Sequence, residues 1–94
     1  MIISKEIQAF AINELNHLSF KEYNFISHSS TDISDNILSR SFTKVSGGDK
    51  DFIEKEVINL CQNYFSDDVL SFYRVEIKSL FDFKFKVLLR PRSY

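Results

Sequence analysis

Glycine, proline and cysteine are scarce in this chain. Two glycines and one proline in 94 residues exclude a collagen repeat, a Gly/Ser linker and a proline-rich disordered chain. The single cysteine excludes an intrachain disulfide and indicates a reducing compartment. No apolar run approaches the roughly 18 residues that a membrane-spanning helix needs. The first residues also lack the basic and apolar regions of a signal peptide. We therefore expect a cytoplasmic protein without membrane association.

Positive and negative charges are nearly equal in number, so neither sign dominates. Twelve Lys and Arg residues against 13 Asp and Glu residues give a net charge of -1. This balance argues against a polycationic nucleic-acid binder and against a strongly acidic DNA mimic. Aromatic residues make up 15% of the chain and include ten phenylalanines, which argues against disorder. At this length we expect residues 1–94 to form a single compact domain. Abundant isoleucine, lysine and asparagine are typical of AT-rich genomes and suggest a bacterial or phage source.

Two stretches have the apolar spacing of amphipathic helices. The first helix is predicted from Lys5 to Leu18, with the Ser4 hydroxyl as its N-cap. The second and clearer pattern covers Lys50 to Phe65 and follows the turn at Gly47-Gly48. Its apolar stripe is expected to face the core and contains Ile53, Val57, Leu60, Cys61 and Tyr64.

Four strands are predicted from β-forming composition and alternation. Two of them cover residues 23–28 and 37–45, with a polar loop between them. Residues 69–90 alternate between apolar and polar for longer than one strand of a small domain allows, so they predict a hairpin. A five-residue loop over 78–82 would place Ile77 opposite Phe83 and Val75 opposite Phe85. Both phenylalanines are expected on the core face.

The predicted element order is α-β-β-α-β-β. It indicates an α+β fold in which two helices pack on one face of a four-stranded antiparallel sheet. If Met1 to Ile3 form a further strand, the order also fits a ferredoxin-like fold with an added C-terminal strand.

Residues that carry enzyme chemistry are few and isolated. Cys61 lies on an apolar helical stripe, where a buried thiol packs as a small hydrophobe. His17 and His28 have no companion at metal-ligand spacing. Gly47-Gly48 lacks the motif of a phosphate-binding loop. The acidic pairs Asp32/Asp35 and Asp67/Asp68 are typical of turns. We therefore predict no catalytic residue, no cofactor and no metal, and expect a protein that is not an enzyme.

Charge is distributed unevenly along the chain, with the cations in excess near its end. Residues 1–68 contain six cations and eleven anions, whereas residues 69–94 contain six cations and two anions. Alternation places most of these late cations on the non-core face of the last hairpin. We predict a partner-binding site there, formed by Arg74, Lys78, Lys84, Lys86, Arg90 and Arg92.

Three interpretations of this basic face remain open. It can be an ordinary solvated face, in which lysine also blocks edge-to-edge aggregation. It can bind a larger protein or protein complex with an acidic surface, as an inhibitor or regulator such as an immunity protein, antitoxin or phage inhibitor does. It can also bind nucleic acid, with Phe42 and Phe72 pointing outward for base stacking. Among functions, the protein-binding module is our main prediction and the nucleic-acid-binding domain is the alternative. Strand edges could in addition pair two copies into a homodimer.

Overall fold

The chain folds as an α+β domain whose antiparallel sheet has five strands in the part of the chain that the structure describes. The computed structural model describes residues 3–45, 55–81 and 83–92, apart from the side chain of residue 81. Its elements are α1 (Lys5–His17), a 3₁₀ turn (Lys21–Tyr23), β1 (Phe25–Ile26), β2 (Asp32–Ser34), β3 (Ile37–Lys44), α2 (Val57–Tyr64), α3 (Asp67–Phe72), β4 (Tyr73–Phe81) and β5 (Lys84–Pro91).

Strand β3 organises the sheet because it has partners on both edges. The strand order is β1-β3-β5-β4, and β2 also pairs with β3. One edge of β3 pairs with β5 over six residues. The other edge is shared by β1, which pairs with Thr43 and Lys44, and by β2, which pairs with residues 37–39. A gap therefore remains between β1 and β2 along this second edge.

The prediction of four strands was wrong because β2 lies in the segment interpreted as a loop. β2 and β3 are joined by Asp35 and Asn36, whose φ angles are 52° and 66°. Positive φ at both central residues is the requirement of a two-residue type I′ hairpin, and Asp and Asn tolerate it better than most residues. The ferredoxin-like alternative required a strand over Met1 to Ile3. Met1 and Ile2 lie outside the described residues, and Ile3 is not in a strand.

The helices differ from the prediction at their ends. The Ser4 cap of α1 is confirmed, since its hydroxyl accepts a hydrogen bond of 3.2 Å from the Ile7 amide. The predicted start of the second helix, with Ile53 and the Gly47-Gly48 turn, lies outside the described residues. Ser66 begins the additional helix α3 where a turn and a strand were predicted. Its hydroxyl caps the Val69 amide, and two aspartates in the first turn suit the positive end of the helix.

The core lies between the helices and one face of the sheet. As predicted, the buried residues of β4 and β5 have odd numbers, including Val75, Phe85 and Val87. Tyr64 and Phe83, both expected in the core, are 40% and 52% exposed. The sheet and the helices contribute the buried cluster of Ala11, Leu15, Leu18, Phe20, Phe25, Leu38, Phe42, Val57, Cys61, Phe65, Val69, Tyr73, Val75, Phe85, Val87 and Leu89.

The predicted register of the last hairpin was wrong, although its faces were right. Ile77 pairs with Val87 and Val75 with Leu89, rather than with Phe83 and Phe85. β4 continues to Phe81, so only residues 82 and 83 connect it to β5. With a two-residue connection alone, odd-numbered residues of one strand would share a face with even-numbered residues of the other. An irregularity between Ser79 and Phe81 adds one residue to β4, so odd-numbered residues of both strands face the core. The observed register differs from the predicted one by an even number of residues. Each strand residue therefore lies on the side of the sheet that was predicted for it.

Candidate partner-binding face

The candidate site is the face of the sheet opposite the helices, which we call the outer face. Successive side chains of a strand point to opposite sides, and the odd-numbered residues of β4 and β5 are buried under the helices. Even-numbered residues of these strands, together with odd-numbered residues of β3, therefore form the other side. The outer face comprises Ser39, Ser41, Thr43, Arg74, Glu76, Lys78, Lys84, Lys86, Leu88 and Arg90.

Two arginines at one end of the outer face share a carboxylate. Arg74 and Arg90 are directly opposite each other on β4 and β5. Glu76 accepts a hydrogen bond of 3.1 Å from Arg74 Nη2 and one of 3.0 Å from Arg90 Nε. The hydrogen bond from Arg90 is the main reason that the pKa of Glu76 is lowered, and the charge of Arg74 adds to it. The three side chains together carry one net positive charge.

Three lysines at the other end of the outer face have no anionic partner among the described residues, and we call them the lysine cluster. Lys78 and Lys86 are directly opposite each other, and Lys84 lies two positions before Lys86 on β5. None of the three forms an ion pair or a side-chain hydrogen bond with any residue that the structure describes. Like charges directly opposite each other destabilise a sheet. Sheet stability therefore gives no reason for this arrangement.

Hydroxyl groups of β3 border the lysine cluster. Ser41 is opposite Lys86 and Thr43 is opposite Lys84. Ammonium and hydroxyl groups on neighbouring strands can together donate hydrogen bonds to oxygen atoms of an anionic group. The strands that carry them lie in the middle and at one edge of a hydrogen-bonded sheet, so their spacing is held by the backbone.

Arg92 is the one predicted site residue that the structure places apart from the outer face. Its Nε donates a hydrogen bond of 2.8 Å to the carbonyl of Leu70, and its amide donates to the carbonyl of Phe72 at 2.9 Å. These bonds attach it to α3 beyond the end of β5. The two aromatic residues expected to point outward also do not, since Phe42 is buried and Phe72 packs against the core.

The residues considered for enzyme chemistry remain separate from one another. Cys61 is fully buried, and this burial raises the pKa of its thiol to about 12. The ring of His17 bonds to the carbonyl of Asn13 at 2.8 Å, where a helix C-terminus accepts donors. Within the described ranges, no three His, Cys, Asp or Glu residues are grouped closely enough to hold a metal ion. The described helices include none that is long and apolar enough to span a membrane.

Comparison of the chain with protein-family models, with curated proteins and with solved structures gives no match. The geometry of the outer face therefore carries the functional argument.

Proposed function

We propose that this chain is a non-enzymatic protein-binding module, an inhibitor or regulator in the cytoplasm, that binds an acidic surface of a larger protein through its outer face. The observation that supports this proposal best is the lysine cluster. Three ammonium groups on β4 and β5 have no anionic partner among the described residues, and two of them are directly opposite each other. Carboxylates of a partner would relieve their mutual repulsion on binding.

The composition of the outer face favours a protein over a nucleic acid. Surfaces that bind single-stranded nucleic acid combine cations with exposed aromatic rings on which bases stack. The described outer face, as defined above, has no exposed aromatic side chain on which a base could stack. A standard protein interface takes about 800 Å² from each partner. This is about an eighth of the 6028 Å² surface of the chain, so one sheet face can supply it.

Affinity capture with a matched pair of charge reversals tests the proposal. The tagged chain is incubated with lysate of its native cells, and captured proteins are identified and then titrated in purified form. Lys86→Glu reverses a charge in the lysine cluster, and Lys5→Glu makes the same change at the exposed start of α1. We expect Lys86→Glu to bind a purified acidic partner about tenfold more weakly or worse, and Lys5→Glu to bind it like wild type. Equal binding by all three proteins would remove the outer face as the site.

Two further arms separate the alternatives. Nuclease treatment should leave capture unchanged, and capture that disappears on treatment, with a steep loss of affinity as salt rises, would favour the nucleic-acid-binding domain. Glu76→Gln frees Arg74 and Arg90 from their carboxylate and adds one positive charge to the outer face. We expect this variant to bind an acidic partner more tightly than wild type. A homodimer formed through strand edges would appear as a doubled mass in light scattering without any partner.

A further inference from the structure

A second polar region lies at the gap that β1 and β2 leave along the edge of β3. The Lys44 amide donates to the carbonyl of Phe83, and the Val45 amide donates to the carbonyl of Asn24, both at 2.8 Å. Successive residues of β3 therefore direct their main-chain groups to opposite edges. By this alternation, the N–H and C=O of Ser41 point into the gap. The chain from Ser27 to Thr31 passes outside the gap, between β1 and β2.

Two adjoining cavities of about 330 Å³ and 390 Å³ open at this gap, and we call them together the Arg40 cleft. Asn16, Ser27 and Arg40 line both of them. Lys21 adds a second cation, whereas none of the described lining residues is acidic. The cleft is therefore positively charged, although the chain as a whole has 13 acidic residues.

Arg40 is held rigidly in the cleft by main-chain carbonyls. Its Nη1 donates to the carbonyls of Leu15, Asn16 and Leu18 at 3.0, 2.8 and 2.9 Å, and its Nε donates to that of Ser29 at 3.1 Å. The guanidinium carbon also lies 5.3 Å from the ring centre of Phe42. The side chain thus closes the C-terminal end of α1 in a fixed orientation.

The remaining nitrogen of Arg40 is available to a ligand. Nη2 has no hydrogen-bond partner among the residues that the structure describes. No buried side-chain nitrogen or oxygen of the described residues lacks a partner, so this unpaired Nη2 is reachable from solvent. Burial lowers the pKa of Arg40, and no carboxylate of the described residues forms an ion pair with it. The cleft therefore offers the Nη2 donor of a fixed cation that has no carboxylate partner among the described residues.

We propose that the Arg40 cleft binds a small hydroxylated carboxylate, with its carboxylate on Arg40 Nη2. Because Nε and Nη1 already donate to main-chain carbonyls, Nη2 can give a carboxylate oxygen one charge-assisted hydrogen bond. The walls supply partners for ligand hydroxyls, since the hydroxyls of Ser29 and Ser30 donate no hydrogen bond to any described residue. Asn16 Oδ1 accepts hydrogen bonds from the amide and hydroxyl of Thr31, and its Nδ2 has no partner among the described residues. The volume lies within the usual range of small-ligand pockets. The Arg40 cleft lies on the other side of β3 from the lysine cluster, so this proposal is independent of the proposed protein partner.

A titration of the ¹⁵N-labelled wild-type chain at constant ionic strength tests the proposal. Gluconate is the probe, and sorbitol is the matched control that has the hydroxyls without the carboxylate. We expect gluconate to give saturable shifts at the Ser41 and Thr31 amides and at Arg40 Nε–H, with a Kd of about 1 mM. Sorbitol should bind at least about tenfold more weakly, because the charge-assisted hydrogen bond is lost. Inorganic phosphate that binds as tightly as gluconate would overturn the assignment to a carboxylate.

Variants at the rim check the location without disturbing the helix cap. Lys21→Gln should weaken gluconate binding several-fold, and Lys5→Gln, the same change at the far end of α1, should leave it unchanged. Shifts confined to Lys78, Lys84 and Lys86, or shifts that stay linear at all gluconate concentrations, would overturn the proposal and leave Arg40 with its role as a helix cap alone. Neither result would bear on capture of a protein by the outer face, because that test uses different residues.

Discussion

Arginines lie in two different environments on the two sides of this sheet. On the outer face, Arg74 and Arg90 share the carboxylate of Glu76 and remain largely exposed. Such surface ion pairs contribute about 0–1 kcal/mol each and weaken with salt. On the helix side, Arg40 bonds to the last carbonyls of α1, where a cation also suits the negative end of the helix. Arg40 therefore stabilises the fold, whereas Arg74 and Arg90 contribute mainly to the charge of the surface.

Cys61 provides a prediction at the scale of one buried residue. Its thiol pKa rises from an ordinary 9.0 to about 12 because the thiolate would be buried. The neutral thiol contributes its full stability below pH 9 and loses it as the pH approaches 12. We expect native Cys61 to react with Ellman's reagent at pH 8 at least about a hundredfold more slowly than in urea, because the thiolate is nearly absent in the folded state. Equal rates with and without urea would show an exposed thiol.

At the scale of elements, the last hairpin shows that the buried face of a strand and its pairing with the next strand are predicted from different features. Alternation over residues 73–90 identified the core face of β4 and β5. The register instead depends on where the turn lies, and the bulge between Ser79 and Phe81 allowed a two-residue connection that alternation did not reveal. Phe83 consequently lies in the turn and is exposed, one residue before the strand in which it was expected.

Two phenylalanines of this hairpin, two positions apart, should respond differently to truncation. Phe85 is fully buried against Phe20, Phe25 and Phe42, with ring centres 5.1–5.4 Å apart. We expect Phe85→Ala to lower the free energy of unfolding by about 3–5 kcal/mol, because it leaves a cavity. Phe83→Ala should cost under about 1.5 kcal/mol, since its side chain is half exposed. Urea unfolding measures both changes. Similar losses in the two variants would contradict the observed register.

Short elements were the ones that sequence patterns did not reveal. β2 has three residues and all of them are exposed, so it carries no apolar alternation. α3 has six residues, too few for a helical stripe, and its start was interpreted as a turn. The signals were local: Asp35-Asn36 as a type I′ turn and Ser66 followed by two aspartates as an N-cap with its first turn. Both signals rest on side-chain chemistry at two or three positions.

At the scale of the whole molecule, the central strands should be the last part to open. β5 is hydrogen-bonded to β3 on one edge and to β4 on the other, while β1 and β2 are two and three residues long. We expect the amides of β5 and the β3 amides that face it, those of Leu38, Arg40 and Phe42, to exchange with deuterium only on global unfolding. The amides of β2 should exchange at least about a hundredfold faster by local opening. Protection in β2 that equals the protection in β5 would show that something covers this edge.

The sequence by itself determined the α+β class, the buried side of the last two strands and the cations that share their outer side. These follow from the periods of the helix and the strand, which depend on backbone geometry alone. The sequence also places Arg40, a cation, at a core-facing position of β3 between the apolar residues Leu38 and Phe42. Only the tertiary structure showed what this cation binds.

The register of the hairpin, the gap between β1 and β2 and the partners of Arg40 all depend on contacts between distant parts of the chain. Arg40 bonds to carbonyls 22 to 25 residues earlier, and the cross-strand repulsion between Lys78 and Lys86 exists only in the observed register. Local propensity has no information about such pairs, because it is the packing of helices on the sheet that brings them together.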